Sequence, residues 1–531
     1  MKRYVSFLLA AFLTLGLLTA CGGGPASGSG ADASNTSAEY KDSFLYAITN
    51  DQDTLDPQWN VSNDKVLRMI YSGLLKRDPD GVIVGDLATE WKVEEDNVTW
   101  TFNLRPGVTF HDGAPCDANA VKANYDRLID ADNPTRYTDQ NTFITACNVV
   151  DDSTVQLVTD KPFGAFTANM MNLAHLIVNP AYLDQYGADY GKSAGACSGT
   201  GPYKVVEWKK DESMTFEAFG DYYGGPPATK NFTIMVITEP NARVIAVETG
   251  QVDIADGLPA DDIDRLSGLD GFQVVKKRSV GQHMFQFNCS SPVTGDTRVR
   301  QAISYGLDRQ TIVNTLYSGD DPCTAPLNPA TFGYYNFGTI KQDQAKAKQL
   351  LTDAGYPEGV SIKVMVTPVY MKGVEMGEMI KAQLREIGIE VKLETVERAV
   401  FLASLDSHTP ESYNQTYGYD MFIMGAGPSS ADADGGLKRV YVTDPGGTNV
   451  NNYGFYSNKE ADALIIEAGD ETDQEKRKEL YKQAMQILYI DDPVSVWMND
   501  RYNTFVMSDK VDHFDAGITG IIAFDQISVR K

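Results

Sequence analysis

The chain has 531 residues, 46 Lys and Arg against 72 Asp and Glu, and a formal net charge of −26. That length exceeds one core and allows about three domains. A content of 42% hydrophobic and 22% charged residues fits a soluble globular chain and excludes global disorder. The acidic balance argues against nucleic-acid binding through a general basic surface. Only one stretch, at the extreme N-terminus, is apolar enough to raise a membrane question, which excludes a polytopic membrane protein.

Lys2 and Arg3 precede an apolar run from Tyr4 to Leu18, short for a spanning helix and of signal-peptide length. The run ends Leu18-Thr19-Ala20-Cys21, which resembles the bacterial lipobox. That resemblance implies a lipoprotein signal peptide over 1–20, with Cys21 acylated as the mature N-terminus. The next stretch is almost all Gly, Ala, Ser, Pro and Asn, so 21–40 reads as a flexible, lipid-anchored linker. Several acyl chains hold a protein where one is marginal. An acidic body is repelled by anionic headgroups, so the Cys21 lipid rather than charge makes the membrane contact.

Ser43 to Thr49 is predicted as a strand, stopped by Leu55-Asp56-Pro57. Val98, Trp100, Phe102 and Leu104 alternate as a half-buried strand, and Arg105-Pro106-Gly107 reads as the turn of a hairpin. Asp117 can cap a helix with Val121, Tyr125 and Leu128 on one face. Thr154–Val158, Tyr203–Glu207 and Met214–Phe219 come next as strands. Gly199-Thr200-Gly201-Pro202 reads as a sharp turn where the chain re-enters a domain. Ile362, Val364 and Val366 alternate, a helix over about Val374–Ile387 carries Ile380 and Leu384 on one stripe, and Ile389, Val391 and Leu393 alternate again. This β-α-β unit predicts a parallel sheet with a right-handed crossover. Met421–Met424 reads as a further strand, with a loop rich in Gly, Ser, Ala and Asp after it. Such loops beyond strand ends hold ligands in open α/β sheets. Two helices come after the loop, over about 459–468 and 474–490.

Catalytic and metal motifs are missing. Gly191-Lys192-Ser193-Ala194-Gly195 matches G-x-S-x-G, but the polar Gln185–Tyr190 stretch precedes it where an apolar strand is required. The five His lack metal-ligand spacing, and no phosphate-cradling glycine loop occurs. Any ATPase is therefore a separate subunit. Neither an enzyme activity nor a metal or other cofactor is expected. Beyond Cys21 stand Cys116, Cys147, Cys197, Cys289 and Cys323. An odd number cannot all pair internally, and spacing leaves open either a Cys147–Cys197 bridge or buried thiols.

Several segments, in order, resemble the family 5 solute-binding proteins of bacterial ABC importers, the peptide and nickel class. They are Leu55-Asp56-Pro57; Trp100-Thr101-Phe102-Asn103-Leu104-Arg105-Pro106-Gly107, running on to His111-Asp112-Gly113; Gly199-Thr200-Gly201-Pro202-Tyr203 with Glu207-Trp208; Gly250-Gln251-Val252-Asp253-Ile254; Phe287-Asn288 with Asp296 to Ile303; and Asn458 to Leu464. The resemblance implies an α/β, periplasmic-binding-protein-like class II clamshell of three domains. The first lobe is discontinuous, over 41–63, 199–285 and 498–531; an extra domain spans 64–198; the second lobe spans 286–497. Chain crossings near Phe287-Asn288 and Trp497-Met498 would be the hinge. Closure about it captures a ligand and presents a closed shape to a permease.

The resemblance also implies a ligand site of Gly425, Ala426, Gly427, Ser429 and Asp432, with Tyr370 and Trp497. In the peptide binders the pocket strand ends in Gly-Trp, and an Asp four residues after the Gly pairs with the peptide ammonium. Here those positions are Gly425, Ala426 and Ser429. A Ser cannot neutralise a buried ammonium, so Asp432 would have to replace it by a loop shift. The implied function is a monomeric, extracytoplasmic subunit delivering an oligopeptide or similar solute to ABC permease subunits. A peptide-sensing receptor of the same fold, and sugar, opine or metal-chelate ligands, stay open.

Overall fold

Two long strands, Phe272–Phe287 and Ser495–Ser508, run antiparallel through the middle of a ten-stranded sheet. On the Ser495–Ser508 side the order continues Ile254–Asp256, Ser43–Ile48, Asn231–Val236, Ser213–Ala218 and Tyr203–Lys209. On the other side come Met421–Ala426, Val360–Val366 and Ile389–Thr395. The computed structural model describes residues 39–61, 64–317, 319–368, 370, 372–406, 408–428, 430–443 and 451–531. The signal peptide, Cys21, most of the linker and Ser429 lie outside the described residues. Tyr40–Lys531 forms one unit of the chain, and the sheet lies within it.

The ladder between the two long strands is interrupted. Pairing runs from Phe272 opposite Ser508 to Arg278 opposite Tyr502, then resumes at Gln282 opposite Asp500. Before the break Ser495–Ser508 pairs outward with Ile254–Asp256; beyond it Phe272–Phe287 pairs with Met421–Ala426. Each half of the sheet has its own core. In one, Phe232 stacks on Phe44, Phe216 and Phe524 at centroid distances of 5.2, 4.4 and 5.0 Å. In the other, the expected β-α-β unit is present: Val360–Val366 and Ile389–Thr395 are parallel, joined by helix Gly373–Arg385, whose Ile380 and Leu384 are buried against Val364 and Val391. Gly388 ends that connection at φ +91°, a conformation only glycine adopts cheaply.

A four-stranded antiparallel sheet, Ala88–Val93, Thr99–Leu104, Thr154–Thr159 and Ile144–Asp151, forms a third layer with helix Ala118–Ile129. Its core holds Trp100, Phe102, Val121, Tyr125, Leu128 and Leu157. Asp117 caps the helix as expected, accepting from Asn119 N at 2.9 Å and Ala120 N at 3.0 Å. The molecule is thus a two-lobed α/β fold with an added domain.

One expectation differs from the structure. Arg105-Pro106-Gly107 makes a turn with Gly107 at φ +73°, but closes no hairpin. The strand before it pairs with Ala88–Val93 and Thr154–Thr159 instead, because Arg105 N bonds Leu87 O and leads the chain away. The chain bends at 200–202 as expected, and Gly199 and Gly201 are glycine because a Cβ would come within 2.1 Å of Ile70 O and 2.3 Å of Met69 O. The ladder between the long strands is interrupted at 278–282 opposite 500–502, and its register shifts again at His283–Met284 opposite Asn499 and Trp497, beside the expected crossing at Trp497-Met498. All five described cysteines are free thiols, so no Cys147–Cys197 bridge forms.

The break is bolted by side chains from both of its flanks. Arg278 Nη1 donates to Asp500 Oδ2 at 2.8 Å, and Gln282 Nε2 donates to Asp500 Oδ1 at 2.9 Å. Arg278 also donates to Asp321, which accepts from Tyr502 OH at 2.7 Å, and Cys323 Sγ lies 3.8 Å from Asp500 Oδ1. Burial pushes the Asp500 carboxyl up to about 6, against the pull of Gln282 and Arg278. A carboxyl raised on folding stabilises the fold fully below its unfolded value, and that contribution is lost as pH climbs through the folded one. Between pH 4 and 7 the stability difference between Asp500→Asn and wild type should therefore move in the variant's favour, on the order of 3 kcal/mol. Urea midpoints of both proteins across that range measure it; a difference that moves towards wild type would show that the Arg278 pair outweighs burial.

Candidate functional site

Two cavities meet at the ladder break. The smaller, about 260 Å³, is walled by Gln282, Met284, Met424, Gly425, Gly427, Pro428, Tyr453 and Trp497 among others. The larger, about 680 Å³, is walled by Lys65, Arg68, Arg77, Arg136, Tyr137 and Ile521 among others. They share Val280, within the break, and Arg439. A third, more apolar recess of about 390 Å³ adjoins the larger one through Arg68, Arg77, Thr519 and Ile521.

The glycines of the loop are explained by close approach. A Cβ on Gly427 would sit 2.4 Å from Val280 O, so only glycine lets the loop reach the break. A Cβ on Gly425 would sit 2.8 Å from Tyr370 Cε1. Tyr370 lies behind the strand end, bonded to the Gly425 backbone and edge-on to Phe401 at 5.6 Å. Burial raises its phenol. Trp497 lies under the smaller cavity, 1% exposed, with Tyr489 and Tyr441 edge-on to it.

The structure therefore brings Gly425, Gly427 and Trp497 to one cavity wall, with Tyr370 in the layer behind. Ala426 closes the strand opposite Gln282. Ser429 lies outside the described residues. Asp432 is elsewhere: 3% exposed, it takes a forked pair from Arg477, Nη2 to Oδ1 at 2.9 Å and Nη1 to Oδ2 at 3.2 Å. It also accepts from Asp434 N at 2.9 Å, and its backbone bridges to Phe332. Burial works to lower the Arg477 guanidinium, and the Asp432 charge outweighs it and raises it. The carboxylate singled out as an ammonium partner is thus engaged within the fold.

The basic residues of the larger cavity escaped the sequence reading. Lys65 and Arg68 lie on helix Asp64–Ile70, Arg77 ends strand Leu75–Arg77, Arg136 follows helix Ala118–Ile129, and Arg439 begins the turn Arg439–Tyr441. Arg77 spans the cleft: its guanidinium donates to Gly81 O on its own side and to Ser430 O in the loop across from it. Burial holds it below the usual arginine value. Among the described residues no group of three or more His, Cys, Asp or Glu is arranged to hold a metal.

The family model described as bacterial extracellular solute-binding proteins, family 5, matches residues 82–448. The chain belongs to that family. The glutathione-binding protein GsiB of Salmonella typhi is 28% identical over 453 residues, 85% of this chain and 87% of its own length. Among solved structures, the ABC transporter substrate-binding protein CtaP of Listeria monocytogenes aligns with a TM-score of 0.81 at 22% identity, covering 93% of this chain and all of its own. The binding protein AgaA of A. tumefaciens R10, in complex with agropinic acid, aligns with a TM-score of 0.71 at 26% identity, covering 92% and 99%. The architecture is accordingly the periplasmic-binding-protein clamshell of family 5.

The Asp432–Arg477 pair makes a test of the loop's frame. Removing one partner of a buried ion pair strands the other charge and costs about 3–5 kcal/mol. Arg477→Met should lose that much stability in urea denaturation, and adding Asp432→Asn should restore part of it. Equal stability of Arg477→Met and wild type would show that the pair does not hold the loop.

Proposed function

We propose that this family 5 protein is the lipid-anchored, extracytoplasmic binding subunit of an ABC importer. It captures an oligopeptide or similar solute by lobe closure and delivers it to permease subunits served by a separate ATPase. The observation that carries this reading is the position of the two cavities. They flank the break in the ladder, and their walls join Lys65, Arg68 and Arg77 on one side to Gly425, Gly427 and Arg439 on the other. A segment with missing backbone bonds between two stiff sheets is where rotation costs least. We take 41–63, 199–285 and 498–531 as one lobe, 64–198 as the extra domain and 286–497 as the other lobe. The site we propose comprises Gly425, Ala426, Gly427 and Ser429 over the Trp497 floor, backed by Tyr370. Similarity to a glutathione-binding protein and to a binder of agropinic acid supports a small peptide or a peptide-sized acid as solute. The protein acts as a monomer and releases the solute unchanged.

Three outcomes test this. Cys21→Ala should move the protein from the membrane to the soluble fraction; equal partitioning of variant and wild type would remove the lipid anchor from the proposal. Solutes released on denaturing protein purified without refolding should be identifiable by mass spectrometry. Adding them back should raise the melting temperature, by about 2.7 kcal/mol of stabilisation at a hundredfold excess over Kd. The same addition should shrink the scattering radius, and recovery of a chemically altered solute would point to an enzyme instead.

A further inference from the structure

We infer that the solute is a polycarboxylate, an anion with at least two carboxylate groups, gripped by Arg77, Arg136 and Arg439 and met by no ammonium-binding acid of the protein. This rests on the reading of the cleft as the ligand site. The chain carries 72 acidic residues against 46 basic ones, so an unselected stretch of its surface is acidic. The walls of the two meeting cavities invert that balance. They hold Lys65, Arg68, Arg77, Arg136 and Arg439, and among the described residues no Asp or Glu.

The nearby carboxylates leave this surplus standing. Asp256 pairs with Lys65 at 2.5 Å and removes one cation from consideration. Asp432 faces Arg477 in its buried pair, so its effect on Arg77 is shared. Arg77 itself is tied to two backbone carbonyls, which satisfy donors without cancelling its charge. Arg136 and Arg439 are exposed and make no hydrogen bond or ion pair among the described residues. They enter the same cavity from different parts of the chain, one after helix Ala118–Ile129 and one after the glycine-rich loop.

A guanidinium grips a carboxylate bidentately, through two parallel N–H···O bonds. Two such forks in one cavity fit two carboxylates, while one carboxylate leaves a fork empty. Like charges gathered on one cavity wall repel, and a bound polyanion relieves that repulsion. Among the described residues an ammonium group would meet no acidic side chain on these walls. Of the loop's two acids, Asp432 is turned into the fold on Arg477 and Asp434 lies beside Lys438, and position 429 is an uncharged Ser.

The test is calorimetry on the full-length lipoprotein in detergent. The probes are glutathione, N-acetyl-Glu-Glu and tricarballylate, each beside its form with every carboxylate amidated, and free tri-alanine and di-lysine. At least one carboxylate probe should bind about tenfold or more tightly than its amide, the ratio expected from losing a charge-assisted hydrogen bond. Arg136→Gln and Arg439→Gln should each weaken that probe about tenfold or more. Lys230→Gln, which alters a surface cation paired with Asp42 away from the cleft, should change nothing. Ligand-free melting curves confirm that each variant folds, and the wild-type probe ratios stand without them. Amides that bind as well as acids, a preference for tri-alanine or di-lysine, or arginine variants that bind like wild type would overturn the polycarboxylate. A neutral or cationic probe that binds and closes the lobes would leave the binding function standing. Binding of no probe of any class would overturn both.

Discussion

A sheet that runs unbroken through two lobes cannot bend between them, because each ladder hydrogen bond resists rotation. Here the ladder between the two long strands loses its register between Arg278 and Gln282, opposite Arg501, and shifts again between His283 and Met284. The candidate site is arranged about the first of these gaps. The glycine-rich loop approaches Val280, the two cavities share Val280, and the Arg278–Asp500–Asp321 cluster ties the flanks together. The paired residues that flank the gap thus supply side-chain bonds beside it. Side chains re-form such bonds as strands rotate, which backbone ladders do not.

The second constraint is the use of buried arginines as internal fixings. Arg477 holds Asp432, Arg300 binds Pro493 O and Thr294 O, and Arg309 binds Trp497 O and Ser304 O. Each draws a loop or strand end onto a helix with several directed donors at once. Arg477 decides the chemistry of the cleft as well as its shape. By taking up Asp432, it engages within the fold a carboxylate that would otherwise be open to the basic wall.

Much of the architecture was legible in the sequence, and the reasons are local. The β-α-β unit showed because Ile362, Val364 and Val366, and then Ile389, Val391 and Leu393, alternate beside a helix with a clean stripe. Asp117 showed as a cap because its side chain acts on the next turn. The two long strands did not show. Their shared half contains Gln282, His283 and Gln286, buried polar residues that interrupt any apolar pattern, and its neighbours are buried on both faces. The ladder break was not legible for the same reason: a break in pairing belongs to two strands over 200 residues apart. Of the candidate site residues, Gly425, Gly427 and Trp497, which line one cavity, were proposed through the family resemblance. The arginines were not, since Arg77, Arg136 and Arg439 sit on separate elements and share no spacing. Only the fold gives them a common cavity.

The free thiols carry a consequence for life outside the cytoplasm. Burial pushes Cys116, Cys147 and Cys197 up to about 12 and Cys289 to about 11. Exchange with a disulfide requires thiolate, and at neutral pH such groups offer almost none. The folded protein is therefore deaf to the redox poise of its surroundings, and hydrophobic cores rather than crosslinks carry its stability. The vulnerable moment is export, when the unfolded chain exposes every sulfur at its ordinary acidity and the five can pair wrongly. Rapid burial is then the protection, so folding speed rather than an oxidase would guard the integrity of the secreted protein.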